Sequence, residues 1–127
     1  MPIKFISIDH VIKIHSKQIM RYGGTNGIRD LNSLKSAVGM PCLTYGGQFL
    51  HPTIHEMASA YLFHIVKNHP FIDGNKRTGL AVALTFLIIN GKNLKLTDDD
   101  LFNTTILVAQ GKINKSELSQ HIKNWTR

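Results

Sequence analysis

The sequence predicts an all-α fold: one compact bundle of six helices around a buried central helix, with a single short β-hairpin. Apolar residues recur at the spacing of a helix face along most of the 127 residues. Residues favoured at helix N-caps precede these stretches, and glycines follow several of them. Only the segment 41–52 has a strand-like pattern. The length is that of one domain, covering 1–127.

The first two helices are bounded by capping and terminating residues. Ser7 is the expected N-cap of the first helix, which ends at Tyr22-Gly23-Gly24 because glycine is favoured just past a helix end. Asp30 is placed to cap a second helix over 31–38, and Gly39-Met40-Pro41 terminates it.

The segment from Pro41 to Pro52 is the strand-like exception. Gly46-Gly47 lies at its centre, and two adjacent glycines suit the tight turn of a β-hairpin. Because an isolated hairpin is only marginally stable in water, we expect a mobile flap here.

The third and fourth helices are the most apolar. Thr53 opens the third, Glu56 gives it the T-x-x-E spacing of a capping box, and it reaches Asn68. The fourth covers 75–89 and is apolar on nearly all sides. It is therefore the predicted buried centre of the bundle.

Two amphipathic helices complete the bundle. The fifth covers 97–109, with three acidic residues in its first turn that suit the helix dipole. The sixth covers 114–125, where Asn114 and Glu117 again have capping-box spacing. Trp125 is expected to lie on the core face of this last helix.

Composition excludes several functional classes. Fifteen Lys and Arg against eight Asp and Glu give a formal charge of +7, but the cations are dispersed, so nucleic-acid binding is not favoured and acidic partners stay open. Cys42 is the single cysteine, which excludes an internal disulfide framework. The most apolar run, 80–89, is too short for a membrane span, and the N-terminus lacks a signal-peptide pattern. We expect a cytoplasmic protein.

The segment between the third and fourth helices combines the groups of a phosphate-binding site. It leads into a helix N-terminus, where unpaired N–H groups and a partial positive charge attract anions. Glycine lets the backbone approach a ligand closely, and two side-chain cations add formal charge. The residues of this predicted phosphate cradle are Gly74, Asn75, Lys76 and Arg77.

Three further residues of this segment have predicted roles. Asp73 supplies the hard oxygen that Mg²⁺ prefers in phosphate sites. His69 can accept a proton from an attacking hydroxyl near neutral pH. Phe71, between polar neighbours, is expected to enter the core and anchor the loop. Each polar residue can also have a purely structural role, such as helix capping by Asp73. Their occurrence together is what favours a phosphate-transfer site.

The run HPFIDGNKR at 69–77 resembles, at every defined position, the motif His-x-Phe-x-Asp/Glu-x-Asn-Gly/Lys-Arg of the Fic/Doc family. Tyr22-Gly23-Gly24 followed by Gly27-Ile28-Arg29-Asp30 is similar to the N-terminal signature of the Doc branch. The resemblance extends over most of the chain. It implies a Fic/Doc-type bundle and a toxin of a bacterial or phage toxin–antitoxin module.

The resemblance implies a role for each matching residue. His69 is then the base that activates a Ser or Thr hydroxyl of a target protein, and Asp73 holds Mg²⁺ against the phosphates of ATP. The flap docks the target backbone by strand addition. The residues of this flap are Thr44, Tyr45, Gly46, Gly47, Gln48, Phe49 and Leu50.

Two departures from the family pattern bear on the reaction. AMP-transferring members have Gly at the position of Lys76 and a second Arg at the position of Leu80. In the Doc branch these differences accompany transfer of the terminal phosphoryl group. The favoured interpretation is a protein Ser/Thr kinase-like enzyme that blocks translation, with elongation factor Tu as the target the family suggests. AMP transfer, a catalytically degenerate binding module and a basic nucleic-acid binder stay open.

The sequence carries no built-in inhibitory helix of the form Ser/Thr-x-x-x-Glu-Gly/Asn, since neither Glu56 nor Glu117 fits that pattern. We expect the activity to be inhibited instead by a separate Phd-like antitoxin, whose acidic, disordered segment folds onto this basic chain. A structural zinc site is not favoured, because Pro52 and Thr53 separate His51 from His55 at a helix start.

Overall fold

The structure is a computed structural model that describes residues 2–126. Met1 and Arg127, the ends of the predicted domain, lie outside the described residues. The helices within that range are α1 Ile8–Tyr22, α2 Leu31–Gly39, α3 Ile54–Asn68, α4 Asn75–Ile89, α5 Asp98–Ala109 and α6 Lys115–Trp125. The strands are β1 Thr44–Tyr45 and β2 Gln48–Phe49. The predicted all-α class with one short hairpin is confirmed.

Local capping explains where the helices begin. The side chain of Ser7 accepts the N–H of His10, and Asp30 caps α2 as expected. At the start of α6 both bonds of the predicted capping box form, between Asn114 and Glu117. These positions were predictable because a cap depends on residues within a single turn.

The predicted capping box of α3 forms only in half. Thr53 Oγ1 accepts the N–H of Glu56 at 3.1 Å, but no described residue receives the N–H of Thr53, and the reciprocal bond from the Glu56 carboxylate is absent. The Glu56 side chain lines a small pocket together with His51 and Lys115.

The centre of the bundle is a pair of helices. α3 packs against α2, α4, α5 and α6, whereas α4 packs against α1, α3 and α5. Gly79 allows the pair to approach closely, because a Cβ there would lie 3.3 Å from the carbonyl oxygen of Leu62. The predicted central helix, α4, thus shares that position with α3, and its outer face stays partly open, with Ile88 57% exposed.

The hairpin is exposed along its whole length. Thr44 pairs with Phe49 and Tyr45 with Gln48, and Gly46-Gly47 adopts positive φ angles of 59° and 80°. The ring of Phe49 packs 5.7 Å from the ring of Phe5, which ties the hairpin to the body of the protein.

The core is continuous from α1 to α6. Trp125 is 2% exposed, which confirms its predicted place on the core face of α6.

Among helices in residues 2–126, none combines the length and the apolar character that a membrane crossing needs.

Candidate active site

A cavity of about 400 Å³ lies where α1 and α3 end and α4 begins. Its walls include His69, Asp73 and the whole predicted cradle, residues 74–77. Tyr22 and Phe102 also line it. The flap residues contribute nothing to these walls. The structure therefore gathers the predicted base, metal ligand and phosphate cradle into one place and leaves the flap outside it.

His69 is held in an unusual backbone conformation. It is the C-cap of α3 with φ 51° and ψ 53°, and it alone among the described non-glycine residues has a positive φ. Arg29 fixes this turn from outside: its Nε donates to the carbonyl of His69 at 2.6 Å, and its Nη2 donates to that of Asn68 at 2.8 Å. A cation is favourable at this helix C-terminus, so Arg29 stabilises a strained turn that exposes the imidazole.

The segment 27–30 runs antiparallel to 70–72 and braces the loop. The carbonyl of Pro70 accepts two N–H groups of this segment, at 2.8 and 3.1 Å, and the N–H of Ile72 donates to Gly27 at 3.0 Å. Gly27 has φ 136°, and a Cβ there would lie 2.8 Å from Ile72 Cδ1. The segment Gly27-Ile28-Arg29-Asp30 of the N-terminal signature therefore supports the loop through backbone hydrogen bonds.

Phe71 and Asn75 fasten the loop from inside. Phe71 is fully buried. The Oδ1 of Asn75 accepts the N–H of Phe71 at 2.9 Å, and its Nδ2 donates to the carbonyl of Phe71 at 3.0 Å. Because these two bonds hold the side chain of Asn75 against Phe71, the backbone N–H of Asn75 is its contribution to the first turn of α4.

Asp73 presents its carboxylate at the cavity without capping α4. Oδ1 accepts the N–H of Gly74 at 2.9 Å, and Oδ2 accepts the N–H of Thr25 at 3.2 Å. Gly24, with φ 114°, makes room for it, since a Cβ there would lie 2.7 Å from Oδ2. Each oxygen has further acceptor capacity, which fits the one or two carboxylates that commonly hold Mg²⁺ beside phosphates.

The first turn of α4 has free donors. Gly74 is the N-cap, in the left-handed region with φ 77°, and no side chain caps the helix. The first intrahelical bond runs from Thr78 to Gly74 at 2.9 Å. Within residues 2–126 no acceptor is paired with the N–H groups of 75–77. Three aligned donors at the positive end of a helix dipole have the chemistry to bind an anion.

Arg77 is clamped between two aromatic rings. Its guanidinium carbon lies 3.9 Å from the ring centroid of Tyr22 and 4.3 Å from that of Phe102. Stacking occupies the faces of the guanidinium, whereas its N–H edge can still bind phosphate oxygens. Lys76 beside it is exposed, and Leu80 is a buried apolar residue, so α4 offers no second cation one turn later.

A buried histidine joins the site from α1. His15 is 2% exposed, its ring stacks on that of Phe71 with centroids 3.8 Å apart, and its Nε2 lies 2.8 Å from the carbonyl oxygen of Asp73. The sequence places His15 on the apolar face of α1 but assigns it no function. A polar residue among core positions was the available signal.

Three histidines outside the cavity have pKa values lowered by burial. Burial, and then the charge of Lys115, lowers the pKa of His64 to about 4. Burial also lowers the pKa values of His51 and His55. In the described residues, no group of three or more His, Cys, Asp or Glu side chains is arranged to hold a metal ion.

Comparison with known proteins identifies the family. The Fic/DOC family model matches residues 5–87, which include the whole loop. The chain is 42% identical to Toxin Doc of Mycolicibacterium smegmatis over 73 residues, covering 58% of this chain and 56% of that protein. It is 29% identical to Protein kinase doc of Escherichia phage P1 over 120 residues, covering 94% of each. The aligned part thus spans little more than half of the mycobacterial relative. The chain belongs to the Fic/Doc family.

Proposed function

We propose that this protein is the toxin of a toxin–antitoxin module and transfers the terminal phosphoryl group of ATP to a Ser or Thr hydroxyl of a target protein. The observation that carries the proposal is the first turn of α4, whose three free N–H groups share a cavity with His69, Asp73 and Arg77. The names of two relatives, Toxin Doc and Protein kinase doc, support the same reading.

The chemistry follows from the positions of these groups. The phosphates lie against the N–H groups of 75–77, with the edge of Arg77 as a second contact. Asp73 is the residue that would hold Mg²⁺, whose charge offsets that of the phosphate oxygens. His69 accepts the proton of the target hydroxyl. The hydroxyl oxygen then bonds to the terminal phosphorus, the bond to the bridging oxygen breaks, and ADP leaves.

AMP transfer is the second candidate reaction, because the same groups could bind the nucleotide in the opposite direction. Leu80 weighs against it, since a buried apolar side chain stands where AMP-transferring members carry a phosphate-binding Arg. Without that cation, the N–H groups of 75–77 attract phosphate more strongly than the region around Leu80 does. The terminal phosphate of ATP then faces the target hydroxyl that accepts it.

Labelled ATP distinguishes these reactions. The protein is incubated with Mg²⁺, bacterial lysate and ATP labelled on either the α- or the γ-phosphate. We expect label from the γ position only, lost in His69→Ala and retained in His121→Ala, an exposed histidine on α6. Label from the α position would mean AMP transfer. Label from neither, with purified candidate targets also unmodified, would indicate a binding module.

The target and the antitoxin belong to the same proposal. The hairpin is exposed, with Tyr45 85% and Leu50 52% accessible, so an extended segment of the target can add to a strand edge. Elongation factor Tu in the cytoplasm is the target we propose. For a Phd-like antitoxin with an acidic segment, the +7 charge predicts binding that weakens as salt rises. Affinity unchanged by salt would contradict an electrostatic contribution.

A further inference from the structure

We propose that His15 is a positioning residue that keeps the anion site of α4 open by holding Asp73 away from the helix N-terminus. This inference rests on the proposed function, because it concerns the same site. It adds a residue outside the motif and gives it a specific task.

The side chain of His15 contacts the loop at three residues, Phe71, Asp73 and Gly74. The imidazole of His15 stacks on Phe71 with an angle of 4° between the rings. Its Nε2 donates to the carbonyl oxygen of Asp73 at 2.8 Å, since a carbonyl can only accept. It also lies against Gly74, where a Cβ would be 3.7 Å from Nε2.

The alternative state that His15 opposes is self-capping. Asp is among the preferred N-cap residues. If α4 began one residue earlier, the carboxylate of Asp73 would accept the N–H of Asn75 or Lys76, and its carbonyl would accept that of Arg77. Two of the three free donors would then be filled by the protein itself, and the carboxylate would be lost to Mg²⁺.

In the structure, the carbonyl and the carboxylate of Asp73 bond to groups other than the N–H groups of 75–77. Its carbonyl is bonded to His15, and its carboxylate to the N–H groups of Thr25 and Gly74. Gly74 is consequently the N-cap of α4. Of these bonds, the one to His15 is made by a buried side chain that is itself fixed by stacking. A substitution of His15 can therefore remove the bond to the Asp73 carbonyl and leave the other two bonds in place.

Two substitutions separate the hydrogen bond from the packing. His15→Phe keeps a ring against Phe71 and removes the donor. His15→Gln removes the ring and keeps an N–H donor at a similar reach. The same two changes at His10, an exposed residue of α1, are the matched controls.

Binding of Mg²⁺ and inorganic pyrophosphate, measured by calorimetry, gives the first readout. We expect His15→Phe to lower the affinity about tenfold or more, as for the loss of a buried hydrogen bond, while His15→Gln stays closer to the wild type. Melting temperatures should rank in the opposite order, because His15→Gln loses the stacking. If affinity instead follows melting temperature, His15 is only a packing residue and the proposal is wrong.

Amide hydrogen exchange in the free protein gives a readout that does not need a ligand. Self-capping in His15→Phe should slow exchange at Arg77 and at Asn75 or Lys76, whereas His15→Gln should leave it fast. Unchanged exchange in His15→Phe would overturn the proposal. If wild-type protein binds no pyrophosphate, the proposed function loses its support, and exchange alone still decides the role of His15.

Discussion

Replacing Asn75 by alanine tests what holds the loop between α3 and α4, residues 69–74, in place. We call this segment the active loop. The side chain of Asn75 is 4% exposed and bonds to both the N–H and the carbonyl of Phe71, at 2.9 and 3.0 Å. Alanine removes both partners and adds no clash. Phe71 is fully buried, so its two backbone groups would be left without partners in the core.

The expected loss follows from those two groups. Each buried polar group left unsatisfied costs about 1–3 kcal/mol, so the free energy of unfolding should fall by about 2–6 kcal/mol. That is a large part of the roughly 5–15 kcal/mol that stabilises a typical domain. A loss near the middle of this range lowers the melting temperature by on the order of 10 °C.

Urea unfolding followed by circular dichroism measures this loss directly. Asn124→Ala is the control, since Asn124 is exposed on α6, and its effect should stay within about 0.5 kcal/mol. A loss below about 1 kcal/mol in Asn75→Ala would refute the reasoning, because it would mean that the loop keeps its shape without these bonds.

Three further predictions concern the loop and a remote histidine. Arg29→Lys removes the two-pronged contact with the last carbonyls of α3; kcat should fall about ten- to a hundredfold with little change in the KM for ATP, and an unchanged kcat would contradict a positioning role. Gly24→Ala displaces the Asp73 carboxylate and should raise the Mg²⁺ concentration needed for half-maximal activity. Because the pKa of His64 falls from 6.5 to about 4 on folding, the unfolded chain binds this proton first, so the free energy of unfolding should decrease as pH drops from 6.5 towards 4.

Matched controls make these outcomes specific. Gly23→Ala strains the backbone at φ 85° but meets no atom within 4 Å, so its Mg²⁺ requirement should stay normal. Equal shifts in Gly23→Ala and Gly24→Ala would point to backbone strain alone. His64→Phe should weaken the pH dependence of urea unfolding, and an unaltered pH profile in that variant would assign the effect to other groups.

The predictable part of this fold is the part that local chemistry determines. Ser7 and Asn114 mark helix starts because a cap involves only the following turn. Gly46-Gly47 marks the hairpin because its turn needs two positive φ angles. The half-formed box at Thr53 shows the limit: the spacing is that of a capping box, but the Glu56 carboxylate makes no bond back to Thr53 and lines a pocket with Lys115, which is distant in sequence.

The support that His15 and Arg29 give to the active loop escaped prediction because these residues are distant from the loop in sequence. His15 lies 58 residues from Asp73, and Arg29 lies 40 residues from His69. The aromatic clamp on Arg77 likewise joins residues of α1 and α5. The motif indicated which groups meet at α4, and only the fold shows what holds them there.

The most direct test of the central claim is the mass of a purified target after incubation with this protein, Mg²⁺ and ATP. Elongation factor Tu is the first target to use, and His69→Ala is the control. Transfer of the terminal phosphoryl group predicts the addition of one phosphate to a Ser or Thr, with no addition in the control. Addition of AMP, or a phosphate that persists in His69→Ala, would contradict the account.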